Sequence, residues 1–405
     1  MEKHQSGSKF FRDAQWIGAQ RIRLYCSLFL VVAFVVFGGL LVTSHQGMDW
    51  HGKPLGTDFV SFWSASDMAL QGHPADVYGV EAHKASQLRL FPQIAHYGYS
   101  AFFYPPTFLL ICLPLAVLPY FYALCLWLSV TGYACWRAVK PFLPDKTPWV
   151  VCAGFPAIFS NILHGQNAFL SCALFAGGVH CLAKNPICSG ILFGFLCFKP
   201  HLVLCVPLVL VVARLWKALC AFMVTAALLV LASWAILGTD TWLGFLDHIP
   251  AATDALEKNQ IGYAKMVSIF AAVRLLHGSV SLAYSLQILA SALVLSALLF
   301  ISYYRRASLE TGVMLIITAL IVTPFLLDYD LMLLAPVLAW TVAQAQKRGF
   351  LPYERFIVAC AFLLPMFARP VALIIHIPIA PLVMLGLAYI VVRHGVRASE
   401  IYAKS

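Results

Sequence analysis

Apolar runs long enough to cross a bilayer recur along the chain, beginning at Leu24 to Val42, and charged residues are nearly confined to the short stretches between them. A crossing helix needs roughly 17 to 25 apolar residues. Inside hydrocarbon every backbone N–H and C=O must be paired within the protein, which restricts the fold to helices or a closed barrel. The runs lack the strict polar/apolar alternation of barrel strands. They therefore predict an all-α integral membrane protein. With 61% hydrophobic and 11% charged residues in 405, no water-soluble class fits.

Charge placement gives the topology. The net charge of +10 is not a nucleic-acid signature, because the basic residues stand in twos and threes at the ends of apolar runs. Lys3, Lys9, Arg12, Arg21 and Arg23 put the N-terminus in the cytoplasm, and the first run reads as a retained span rather than a cleaved signal. On the resulting partition the inner face carries nineteen Lys or Arg against six acids, and the outer face eight against eleven. This implies a single multispanning domain over residues 1–405 with about 10–12 transmembrane helices, some short or broken. Outer loops lie at 45–103 and 239–279, and the expected address is the inner membrane, multi-pass, with the active site facing the periplasm.

Two regions leave alternatives. Residues 104–139, with Pro114 and Pro119, form either one broken crossing or two short spans joined at Leu118-Pro119. Residues 187–213 are split at Lys199-Pro200, either as two half-length helices with Lys199 at the outer turn or as one helix with a costly mid-membrane lysine. In the first outer loop Phe59, Phe62, Trp63, Ala69 and Leu70 recur at helical spacing. That stretch, and a second from about Asp76 to Leu90, predict amphipathic interfacial helices. The twelve cysteines, Cys26, Cys112, Cys125, Cys172 and Cys205 among them, form no CxxC pair and read as small buried hydrophobes.

Acidic residues narrow the chemistry. Between Glu81 and Asp240 the only acid is Asp145, which the charge partition puts inside. Outer-face carboxylate chemistry thus falls to the first loop, the later loop or Asp328/Asp330. Asp58, where the chain leaves the membrane just before a predicted helix, is either a general base or merely that helix's N-cap. His164-Gly165-Gln166-Asn167 is either a turn or a hydroxyl-binding element. Lys199 is a candidate anion ligand or a snorkelling lysine. Arg274, Arg369 and His376 are further outer-face anion candidates, and Asp330 is either a helix cap or a ligand contact. No nucleotide-binding loop, HExxH or GxSxG stands in a credible context, so a donor must arrive through the lipid phase.

The order Asp58-Phe59, Phe62-Trp63-Ser64-Ala65, Gly72, Tyr78, Tyr104-Pro105-Pro106, His164-Gly165-Gln166-Asn167, Lys199-Pro200 and Thr323-Pro324 to Asp330-Leu331 resembles glycosyltransferase family 87. The resemblance implies a GT-C-type helical bundle acting on a polyprenyl-phosphate sugar, with mannose the family-level expectation. It implies Asp58 as catalytic base and Lys199 near the donor phosphate, where Arg274 or Arg369, as outer-face cations, are expected to join it. Substrate contacts are expected from His164, Gln166, Asn167, Tyr104, Asp330 and His376. Expected partners are the donor, a lipid-linked or glycan acceptor and membrane lipids, with no nucleic acid. No cofactor is required, and a divalent metal is possible but not expected. The rival classes are a lipid-linked saccharide transporter or flippase, and an O-antigen ligase or polymerase-like enzyme, which would concentrate its chemistry in 239–279.

Overall fold

The computed structural model describes residues 9–45, 47–50, 52–92 and 99–402, with side chains to 395. Lys3, used above for topology, lies outside the described residues, as do residues 46, 51 and 93–98. The described chain is helical, and its only strand-like pairings are isolated bridges. Four helices are long and apolar enough to cross a membrane, and six shorter apolar helices accompany them. The long helices are α1 (Ala19–Thr43), α12 (Trp216–Leu237), α15 (Val280–Arg305) and α18 (Glu354–Ile374). At 1.5 Å per residue, the 25 residues of α1 reach about 37 Å, enough for a bilayer core. Leucines and valines such as Val31, Val35, Leu228 and Leu231 are exposed on α1 and α12, as lipid-facing positions must be.

The intervening helices, in chain order, are α2 (Phe59–Leu70), α3 (Val80–Leu90), α4 (Pro106–Cys112), α5 (Tyr120–Val139), α6 (Trp149–Ala153), α7 (Pro156–His164), α8 (Ala168–Cys181), α9 (Pro186–Phe195), α10 (Pro200–Val203) and α11 (Val206–Val212). After α12 come α13 (Thr239–Glu257), α14 (Ile269–Leu275), α16 (Leu309–Val322), α17 (Leu334–Arg348) and α19 (Ile379–Tyr402), with α15 and α18 in their places. Ser268, Ser279 and Ser308 start α14, α15 and α16 by accepting a backbone N–H three residues on.

Both ambiguous regions resolve into breaks. The helix from Pro106 ends in a 3-10 segment at Val117, and α5 starts afresh after Pro119. Trp63 Nε1 donates to the Leu118 carbonyl at 3.0 Å, so this break lies beside α2, and α5 alone runs away from it. In the second region Pro200 opens a new helix and drives Lys199 out of helical geometry, as proline does to the residue before it. The break agrees with the two-helix alternative. Lys199 stands in the turn between the two pieces, and it is only 2% exposed.

Three other expectations change. The spacing of α2 predicted one apolar face, but nine of its twelve residues are buried, Ser61, Ser64 and Ser66 included. Their hydroxyls donate to nearby carbonyls, which lets a polar face enter the core. Residues 239–279 are mostly helical, and α13 packs on the first loop through Tyr78 against Phe245. Cys125 and Cys220 are exposed on helices rather than buried.

Candidate functional site

Two turns are pressed together at one end of the bundle. α7 stops because Gly165 takes the left-handed conformation at φ +64°, and Gln166 N–H then closes the turn on the Asn161 carbonyl. A Cβ on Gly165 would come within 2.6 Å of Phe59 Cβ, so only glycine permits this approach to the start of α2. Asp58 N–H donates to the His164 carbonyl at 2.9 Å, which fixes the two turns to each other. Both are also tied to α5. Tyr120 donates its hydroxyl to the Leu55 and Gly56 carbonyls, and Trp127 donates to the Gln166 carbonyl.

The Asp58 side chain makes no capping bond to α2, although it occupies the N-cap position. Its Oδ2 instead accepts from Gln166 Nε2 at 2.9 Å. The amide orientation follows from its surroundings, because Gln166 Oε1 accepts from Asn167 N–H and from the Tyr104 hydroxyl at 3.5 Å. His164 Nδ1 lies 2.8 Å from Thr57 Oγ1 and 3.8 Å from Asp58 Oδ2. The Asp58 side chain is 34% exposed, and its Oδ1 has no partner among the described residues. A carboxylate oriented on one oxygen and open on the other can accept a proton from outside.

Facing these turns is the 3-10 segment Asp328–Leu333 between α16 and α17. The 239–279 segment holds its approach through Val267 N–H donating to Leu326 O. Asp330 Oδ1 accepts from Lys199 Nζ at 2.6 Å, and both side chains are almost wholly buried. The ammonium also sits over the Tyr329 ring. Asp328 lies 3.8 Å from Arg369, whose side chain is 33% exposed. Burial raises the Asp328 carboxyl above its ordinary range, while Arg369 and His164 pull it back and Asp58 pushes it up. Asp58, His164, Asp328 and Arg369 therefore share one electrostatic neighbourhood.

The structure thus brings Asp58, His164, Gln166, Tyr104, Asp328 and Arg369 together. Asn167 stands next to them, buried and with both side-chain polar atoms unpaired. Lys199 and Asp330 are adjacent, nearly fully buried and paired with each other. Arg274 donates to the Tyr263 hydroxyl and the Gly278 carbonyl and serves its own loop. His376 is exposed just beyond the end of α18. Asp328 is one of the carboxylates to which the sequence limited the chemistry; Thr57 is not singled out there, and its adjacency to Asp58 is the available signal. Among the described residues, no group of three or more His, Cys, Asp or Glu is arranged to hold a metal ion.

Residues 102–327 match the family model described as glycosyltransferase family 87. Comparison with curated proteins and with solved structures gave no match.

Proposed function

The chain belongs to glycosyltransferase family 87 and is a membrane glycosyltransferase, and from that premise we propose that it transfers a sugar, mannose by family expectation, from a polyprenyl-phosphate donor to an acceptor hydroxyl. The reaction would occur at the periplasmic surface of the inner membrane, with Asp58 as general base. The observation that carries this reading is the Asp58 carboxylate, released from capping, held through Oδ2 by Gln166 and open at Oδ1.

In this mechanism Asp58 takes the proton from the acceptor hydroxyl as its oxygen attacks the anomeric carbon. The polyprenyl phosphate leaves from the opposite face, so the anomeric configuration inverts. General-base assistance of this kind contributes roughly 10²- to 10⁴-fold. Charge gathering on the leaving phosphate needs a cation that can reach it. Arg369 suits that role, because its guanidinium is partly exposed and its bond to Asp328 is long. Lys199 would act indirectly, by keeping Asp330 neutralised and the Asp328 segment in place. His164 and Gln166 would hold the carboxylate, with Tyr104 and Asn167 lining the sugar pocket. The acceptor is a lipid-linked or glycan hydroxyl.

The test is transfer from a labelled polyprenyl-phosphate mannose to membrane lipid extract by purified protein and by its Asp58→Asn variant. A singly extended product from the wild type, nearly absent from a folded variant, is the expected result. Undiminished transfer by Asp58→Asn would remove Asp58 from the base role. A polymer product would favour the ligase or polymerase class.

A further inference from the structure

The least embedded of the long helices is α1, in which only Cys26 and Ala33 are buried. It touches the bundle along α6 and through Phe29 and Phe37 against Phe159 of α7. Between its first turns and helices α5, α7, α17 and α18 lies a cavity of about 710 Å³. Its walls are apolar, with Leu128, Ile158, Ile162, Phe169, Leu338 and Phe362 among them. Its rim holds Arg23, Lys146, Thr147 and Gln346, with Asp145 as the one carboxylate.

Three helices give the cavity its direction. α5 begins at Tyr120, bonded to the backbone beside Asp58, and meets the cavity only from Leu128 to Val139. α7 ends at His164 and lines the cavity with Ile158 and Ile162. α17 starts just after Asp330, and its far end reaches the rim at Gln346. The charged rim therefore lies at the end of the bundle opposite the Asp58 site, and the cavity runs from there toward the underside of the His164 turn.

A chamber of this size with hydrocarbon walls is poor solvent space for water, which finds few polar partners in it. Hydrocarbon chains of the adjoining leaflet are the available filler. Arg23 and Lys146 are exposed and make no hydrogen bond or ion pair among the described residues, and they outnumber Asp145. Juxtamembrane cations of this kind attract anionic headgroups.

We propose that the cavity binds one anionic phospholipid from the leaflet facing away from Asp58. The phosphate sits between Arg23 and Lys146, and one acyl chain runs up the cavity to Ile162 and Phe169. A sugar donor reacting at Asp58 has its phosphate at the other end of the bundle, so this is a separate site. The bound chain supports α7 from below and thereby the turn that holds Asp58.

Native mass spectrometry of the full-length protein, delipidated in detergent and titrated with phosphatidylglycerol or phosphatidylcholine, tests the proposal. One phosphatidylglycerol should bind in preference to phosphatidylcholine. The Arg23→Glu/Lys146→Glu variant should weaken its binding by about tenfold or more. Gly132→Phe keeps the charges but extends a ring into the cavity beside Phe169, which a Cβ there already meets at 3.6 Å; it should block the site. Equal binding of the two lipids, or unchanged binding in the charge-reversed variant, would overturn the proposal. So would stoichiometric displacement by a polyprenyl phosphate, which would make the cavity a donor-tail groove. Should Gly132→Phe fail to fold, the charge-reversed variant decides alone, since its substitutions are on exposed residues.

Discussion

Asp58 and Asp330 stand at the same end of the molecule and are treated in opposite ways. Asp58 is one-third exposed and is oriented by a neutral amide, with histidine only at 3.8 Å. Asp330 is buried and bonded directly to a buried ammonium at 2.6 Å. A carboxylate that must exchange protons with a substrate needs solvent access and an oxygen left free. One that fixes a turn needs its charge cancelled, because an unpaired buried charge is among the costliest things a fold can hold. Carboxylates at the same end of the bundle can thus serve chemistry or architecture, and their partners tell which.

The sharpest way to break this contrast is to neutralise each carboxylate. Asp58→Asn should lower transfer by roughly 10²- to 10⁴-fold while leaving the melting temperature in detergent nearly unchanged. A large loss of thermal stability would place Asp58 with Asp330. Next in size, Lys199→Met should destabilise the protein by about 3–5 kcal/mol by stranding Asp330. Adding Asp330→Leu should recover much of that in a thermal melt. If the double substitution is no better than the single, the pair is not a mutual neutralisation.

A third test concerns α2 and α3, the helices that follow Asp58. His83 is fully buried between Ser64 and Tyr99, and burial pushes its pKa down to about 4 from 6.5. Below about 6.5 an unfolded chain takes up this proton while the folded one refuses it until about 4. Stability is therefore complete above that window and falls as the pH drops through it, by up to roughly 3 kcal/mol. Protection factors in residues 59–90, that is exchange rates corrected for the intrinsic pH dependence of amide exchange, should fall between pH 7 and pH 4.5, and less so in His83→Gln. The smallest effect is expected for Gln166→Ala, which removes one orienting bond and should lower transfer by about tenfold. An unchanged rate would mean that His164 alone suffices to hold the carboxylate.

The membrane class, the helical fold and the weak points of the helices were legible in the sequence. Pro119 and Pro200 fall at breaks because a proline disfavours helical geometry in the residue before it, although Pro250 in α13 and Pro365 and Pro370 in α18 stand inside continuous helices. Asp58 was legible as a candidate because Asp145 is the only acid between Glu81 and Asp240, and because among the first-loop acids it stands just before a predicted helix. Its rival role as a cap could be decided only by where its oxygens point. The buried state of Lys199 was not legible either, since Asp330 lies 131 positions away and the bond between them exists only after α9, α10, α16 and α17 have packed. The same holds for the close approach of Gly165 to Phe59.

By itself the sequence determined which segments can lie in lipid, where helices stop and which ionisable groups are scarce enough to matter, because these depend on hydrophobicity and local backbone sterics. Tertiary structure alone decided that Asp58 is free while Asp330 is neutralised, that α2 is buried on nearly all sides, and that a cavity opens beneath the His164 turn. Charge pairing and burial depend on groups far apart in the chain, and only packing sets the distances between them.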